Sequence, residues 1–236
     1  MGGGVGIHNG ASHRIMTDRT LFAMPEVTIG FFPDVGASYF LSRLQYNMGL
    51  FIGATGCRLT GADCKFLGLT DFLLAEDKLK DVKRNLLTMP LALDVEDDLN
   101  AEFDSLSISQ NNDSPFMNNY ELIKSWVSSG KAADLVAGFE SYDGDDEWML
   151  QTKKTFLTGC PSTWYIVEKM LKEGKAKNVS ECFTMEARIA EALMDEGNFF
   201  EGVRALLVEK DKNPKWNAKN LDNVDKEKFN KIFVET

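Results

Sequence analysis

Hydrophobic positions change rhythm near residue 78. Before it, apolar residues come in short runs broken by glycine, proline and charged pairs; after it they recur at every third or fourth position. The first pattern predicts short strands over 14–17 and 21–23, separated by the turn-forming pair Asp18-Arg19, and another over 70–74. Between them, residues 27–32 are apolar enough to be packed. A helix over 38–44 would put Tyr39, Phe40 and Leu44 on one face, and helices over 48–55 and 60–66 follow. Thr60 and Asp63 have the spacing of a capping box, and Gly68 stops that helix. The second pattern predicts helices over 79–87, 120–127, 148–157, 163–171, 180–194 and 199–207. Residues 105–114, SLSISQNNDS, read as a polar loop ahead of Pro115. The chain is therefore α/β: strands and short helices over 1–77, then a mostly helical region over 78–236.

Composition narrows the function classes. Of 236 residues, 44% are hydrophobic and 26% charged, which is ordinary for a globular protein and not for a disordered one. A net charge of −10 argues against binding nucleic acid, whose phosphates demand a basic face. No window approaches the ~18 apolar residues of a membrane span, so no membrane partner is expected. The four cysteines, Cys57, Cys64, Cys160 and Cys182, include no CxxC pair, which points to a reducing compartment rather than to zinc or disulfides. His8 and His13 lack partners at metal or dyad spacing and read as structural, solvated or hydrogen-bonded. The run 143–147, DGDDE, lacks the glycine and glutamate of a calcium loop and reads as a solvated turn. Trp126, Trp148, Trp164 and Trp216 read as packing residues.

Two stretches carry candidate chemistry. The opening MGGGVG leaves peptide N–H groups unscreened by side chains, so an oxyanion can approach them, and a helix over 5–11 would add its dipole. The stretch 22–36, FAMPEVTIGFFPDVG, sets Glu26 and Asp34 in otherwise apolar sequence, where burial raises a carboxyl pKa and can divide acid and base roles. Pro25 breaks regular pairing at the end of the preceding strand. Each feature also has a structural reading: glycine runs make turns, and Asp34, just ahead of the 38–44 helix, could be its N-cap.

Taken together the two stretches resemble the crotonase superfamily, and within it the thioester hydrolases that act on 3-hydroxyisobutyryl-CoA in valine breakdown. The resemblance extends through YFLSRL (39–44), TGCRLTGADCKFLGL (55–69) and EGVRALLVEKDKNPKW (201–216), while the acidic middle matches loosely. It implies a crotonase-like spiral that is N-terminally incomplete, with a C-terminal helical region, because the chain resembles family members only from the glycine motif onward. By position Gly3 resembles the family's oxyanion-hole glycine, Glu26 its catalytic glutamate and Asp34 its second catalytic acid. Gly6 stands where the family's hydratases carry a glutamate that helps add water to a double bond, which argues against hydration. The resemblance places a second oxyanion N–H donor in a segment upstream of the glycine run.

The activity so implied is hydrolysis of a short branched 3-hydroxyacyl-CoA thioester, with Glu26 either activating water or attacking the carbonyl to give a mixed anhydride. Asp34 would position the substrate hydroxyl or water, or protonate the departing thiolate. No metal or cofactor is implied, since CoA belongs to the substrate. The segment 210–216, KDKNPKW, reads either as a contact for CoA phosphates and adenine or as a solvated loop with one anchoring aromatic. Partners would be the acyl-CoA together with a second copy of the chain or a complementing chain. The compartment would be the cytoplasm in a bacterium and the mitochondrial matrix in a eukaryote. The rival readings are a non-catalytic, hydrolase-like structural subunit and another crotonase-type activity such as isomerisation or hydration.

Overall fold

The computed structural model of the protein describes residues 1–89, 95–109 and 113–234. Along them run α1 (Gly3–Asn9), β1 (Ile15–Thr17), β2 (Leu21–Phe22), a 3-10 turn (Pro25–Ile29), α2 (Ala37–Phe40), α3 (Met48–Thr55), β3 (Leu59–Thr60), α4 (Gly61–Phe66) and β4 (Phe72–Leu74). Helices then take over: α5 (Leu79–Thr88), α6 (Val95–Leu106), α7 (Pro115–Asn118), α8 (Tyr120–Val127), α9 (Ala132–Ser141), α10 (Glu147–Leu157), α11 (Pro161–Gly174), α12 (Val179–Glu196), α13 (Asn198–Val203) and α14 (Lys226–Asn230). The rhythm change at residue 78 thus marks where strands give way to helices. Of the polar loop expected over 105–114, residues 110–112 lie outside the described residues, and 105–106 end α6.

The chain forms two compact units built from interleaved segments. Unit 1 comprises Met1, Gly3–Phe22 and Arg58–Met117; unit 2 comprises Gly2, Ala23–Cys57 and Asn118–Thr236. The boundary expected at 77/78 follows secondary-structure content, whereas the units follow packing.

Unit 1 holds the strands. β1 pairs in parallel with β4, with Ile15 opposite Phe72 and Thr17 opposite Leu74, and β2 pairs antiparallel with β3. The β1–β4 pair is pinned at one end by a forked ion pair, Arg14 Nε to Asp71 Oδ2 at 3.0 Å and Nη2 to Oδ1 at 2.6 Å. Its apolar cluster joins Phe72, Leu74, Val82 and Phe103, flanked by Ile15, Leu99 and Leu106. α4 begins with the predicted capping box: Thr60 accepts from the Asp63 N–H while the Asp63 carboxylate accepts from the Thr60 N–H.

Unit 2 is built round α3, every residue of which is buried. A helix apolar on all sides must be surrounded, and α8, α9, α10 and α11 all pack against it. Aromatic rings extend that core from Phe51 to Phe139 (5.9 Å between centroids), on to Phe156 (4.9 Å) and Trp164 (4.4 Å). Trp148 also stacks towards Phe51 and Trp126 towards Phe139, so the packing role expected of these tryptophans is observed. α12, the longest helix described, is closed at both ends: an Asn178/Glu181 capping box starts it and Gly197, with φ 91°, stops it.

Candidate active site

Glu26 sits on the 3-10 turn Pro25–Ile29. Proline suits the first position of such a turn, where its missing N–H removes a donor that would have no partner inside the turn. Gly30, in the left-handed conformation with φ 70°, closes it: the Gly30 N–H reaches Val27 O at 3.3 Å and the Phe31 N–H reaches Glu26 O at 3.1 Å. α13 lies hard against its far side, since a Cβ on Gly202 would fall 2.2 Å from Ile29 O. The main chain of the turn is therefore fixed from within and from behind.

The side chain is not. Glu26 Oε2 is buried and has no hydrogen-bond partner among the described residues. Burial pushes the carboxyl up to about 7, its own N–H opposes the shift, and the nearby Asp34 charge adds to it. Unpaired buried polar atoms are costly and rare in folded proteins, and a carboxyl poised near neutrality in such a place has the properties of a general base.

Asp34 lies in the adjoining turn, where the backbone is strained. Val35 has φ 56° and Gly36 φ 87°, two successive left-handed steps, the first on a β-branched residue that rarely adopts them. The capping role considered for Asp34 is not what its side chain does. Gly36 is the N-cap of α2 and no cap side chain bonds there; the Asp34 main-chain carbonyl accepts from the Ala37 N–H at 3.0 Å. Burial raises the Asp34 carboxyl also, opposed by its own N–H.

The cap comes from far along the chain. Glu186, on α12 and only 4% exposed, accepts from the Gly36 N–H (2.9 Å), the Ser38 N–H (2.9 Å) and the Ser38 hydroxyl (2.6 Å). Sequence reasoning missed it, although a signal was present. Cys182, Met185, Ile189 and Leu193 form the buried stripe of α12, and Glu186 falls inside that stripe. A carboxylate on an apolar helix face demands an explanation.

Gly3 lies in unit 1 as the first residue of α1, two positions earlier than the helix expected over 5–11, so the glycine run is helical and not a loop. A Cβ at Gly3 or Gly4 would meet nothing within 4 Å, so packing does not require glycine there. The first N–H groups of a helix have no partner inside it, and Gly3 supplies one of these. Gly6 lies within α1, its carbonyl accepting from Gly10. Glu26 and Asp34 are thus brought together in unit 2.

Other sequence candidates resolve simply. His8 is half-buried beside the Ile15 main chain; burial lowers its pKa, with the Ile15 backbone opposing the shift. His13 stacks on Phe72 and bonds Ser12. All four cysteines are buried thiols, and burial pushes the Cys160 thiol up to about 12, so it is inert at neutral pH. Trp216 donates to Thr158 O at 2.9 Å, as the anchoring-aromatic reading of 210–216 expects. Among the described residues no group of three His, Cys, Asp or Glu is placed to hold a metal, and no helix is long and apolar enough to cross a membrane.

The chain is similar to known proteins along nearly its whole length. The enoyl-CoA hydratase/isomerase family signature matches residues 1–233. The chain is 36% identical over 235 residues to the mitochondrial 3-hydroxyisobutyryl-CoA hydrolase of Mus musculus, covering 99% of this chain and 60% of that protein. It is 33% identical over 236 residues to the protein of the same name from Dictyostelium discoideum, covering 99% and 61% respectively. Among solved structures it matches a carnitinyl-CoA dehydratase from Mycobacterium thermoresistibile with a TM-score of 0.83 at 27% identity, covering 100% of this chain and 65% of that one. An enoyl-CoA hydratase from Rhodobacter sphaeroides gives a TM-score of 0.82 at 25% identity, with coverage of 99% and 65%. The chain thus spans about 60% of the length of the curated relatives it matches.

Proposed function

The chain belongs to the enoyl-CoA hydratase/isomerase family and has the crotonase-type fold, and on that premise we propose that it carries the acid–base machinery of an acyl-CoA thioester hydrolase. The substrate is a short branched 3-hydroxyacyl-CoA, 3-hydroxyisobutyryl-CoA being the one named by its relatives. Water adds to the thioester carbonyl, the C–S bond breaks, and the products are 3-hydroxyisobutyrate and CoA thiol. The observation that carries this reading is the unpaired Glu26 Oε2 on a carboxyl held near neutrality beside the half-buried Asp34.

Glu26 takes the proton of the attacking water, which its raised pKa suits better than direct attack, since a nucleophilic carboxylate gains nothing from being half protonated. Asp34 positions the attacking water or the substrate hydroxyl, and the proton taken up by Glu26 passes to the departing thiolate. The family resemblance gives the task of holding the carbonyl oxygen, as charge develops, to N–H groups of the kind Gly3 supplies at the start of α1; one such donor is worth ~3 kcal/mol in the transition state. Gly6 leaves no second carboxylate for hydration. The matched relatives are named as mitochondrial, which supports the mitochondrial matrix as the compartment proposed if the source is eukaryotic.

The test assays the chain alone and co-expressed with the portion of a relative that it does not span. Release of free thiol from 3-hydroxyisobutyryl-CoA, with the enoyl absorbance of crotonyl-CoA unchanged, is expected. Hydration of crotonyl-CoA without thiol release would replace the hydrolase reading by a hydratase one. Neither activity from folded protein would leave the structural-subunit reading in its place.

A further inference from the structure

Asp34 can act only if its turn holds a conformation that the local sequence disfavours. Val35 and Gly36 are both left-handed, and a β-branched residue stays so only where its surroundings over-determine it. α2 offers nothing of its own for this, since it is four residues long and no N-cap side chain bonds its opening N–H groups. The constraint arrives through space. Both Glu186 oxygens are engaged, Oε2 by the Gly36 N–H and Oε1 by the Ser38 N–H and hydroxyl, so one buried carboxylate clamps the main chain immediately after Asp34.

The clamp is rigid at its other end. α12 is an 18-residue helix capped at both termini, and Cys182, Met185, Ile189 and Leu193 bury the face on which Glu186 stands. α2 is also pressed from behind: a Cβ on Gly174, at the end of α11, would fall 2.2 Å from Ser38 O. A site carried by such elements is placed more accurately than one carried by a free loop.

We propose that Glu186 is a positioning residue for this site, capping α2 from α12 so that the left-handed Val35–Gly36 step is locked and the Asp34 carboxyl is aimed at the substrate. This rests on the catalytic reading of Asp34. All three contacts to Glu186 are donors, so the side chain must accept at both oxygens, and an amide of the same shape cannot. The raised pKa of Glu186, caused by burial and opposed by these bonds, with the Asp34 charge adding to it, reflects the same enclosure.

Glu186→Gln, Asp34→Asn and the double variant, measured in the protein that shows thioesterase activity, separate the alternatives. Glu186→Gln is expected to lower kcat by about 10- to 100-fold with KM changed less than about threefold, as for a misaligned rather than absent group. In the Asp34→Asn background the same substitution should cost nothing further, because its effect is exerted through Asp34. Ser38→Ala, which removes one of the three donors and is milder should Glu186→Gln fail to fold, is expected to lower kcat a few-fold in the wild-type background alone. Equal losses in both backgrounds, or unchanged kcat in either variant, would overturn the proposal. Full activity of Asp34→Asn would instead overturn the role of Asp34 on which it rests.

Discussion

The two acid-bearing turns are eight residues apart and are stabilised in opposite ways. The Glu26 turn is closed by its own neighbours: Pro25 starts it, Gly30 ends it, and two N–H groups fold back on Glu26 and Val27. The Asp34 turn is strained and is held by a carboxylate 150 residues away from Gly36. The first turn would take its shape in any context that tolerated its packing, whereas the second exists only once α12 has docked. A pair of acids can therefore be adjacent in sequence and still owe their geometry to different levels of structure.

The largest expected effect lies in the locally built turn. Glu26→Gln keeps the shape but cannot take a proton, so kcat for thioester cleavage should fall by about 1,000-fold or more while acyl-CoA binding, followed by calorimetry, persists. Asp34→Asn should follow with a loss of about 100-fold in kcat. Because the Asp34 side chain caps nothing, its melting temperature should stay within about 2 °C of wild type; a drop of several degrees with intact turnover would restore the capping reading.

These contrasts explain how far the sequence could be read. The capping box at Thr60/Asp63 and the ranges of α3 and α8 follow from local spacing and are found as expected. α6 was missed although Val95, Leu99, Phe103 and Leu106 recur at helical spacing, because acidic residues between them mask the stripe. α9 was missed because its inward face includes Ala132 and Gly138, which carry little hydrophobic signal. At the site, Glu26 and Asp34 were legible from apolar flanks and a family motif. What holds Asp34 was not, since a cap supplied by a distant helix leaves no trace at its point of use, and the trace it does leave is one acid within the buried face of α12.

Two smaller effects sharpen the comparison. Gly202→Ala would drive a Cβ into Ile29 O and push the Glu26 turn from behind, so kcat should fall by about tenfold and stability by ~2 kcal/mol, read as a melting-temperature loss of roughly 4–8 °C. Unchanged melting would show that the turn can move without cost. The smallest effect is a pH dependence. The Glu26 carboxyl titrates at about 7 in the folded chain against its ordinary value of 4.5, so the folded state binds more protons between those values. Stability contributed by this group is thus lost as pH rises from 4.5 through 7 and is constant above and below that window. Glu26→Gln should melt about as wild type does at pH 4 and a few degrees above it at pH 8; the reverse order would show that the carboxyl is not buried in this way.

The measurement that bears most directly on the central claim is the pH profile of kcat for 3-hydroxyisobutyryl-CoA hydrolysis. A base on Glu26 predicts an acidic limb with an apparent pKa of about 7, and its disappearance, with nearly all turnover, in Glu26→Gln. Turnover that stays level down to pH 5, or a Glu26→Gln variant that keeps both the limb and the rate, would contradict it.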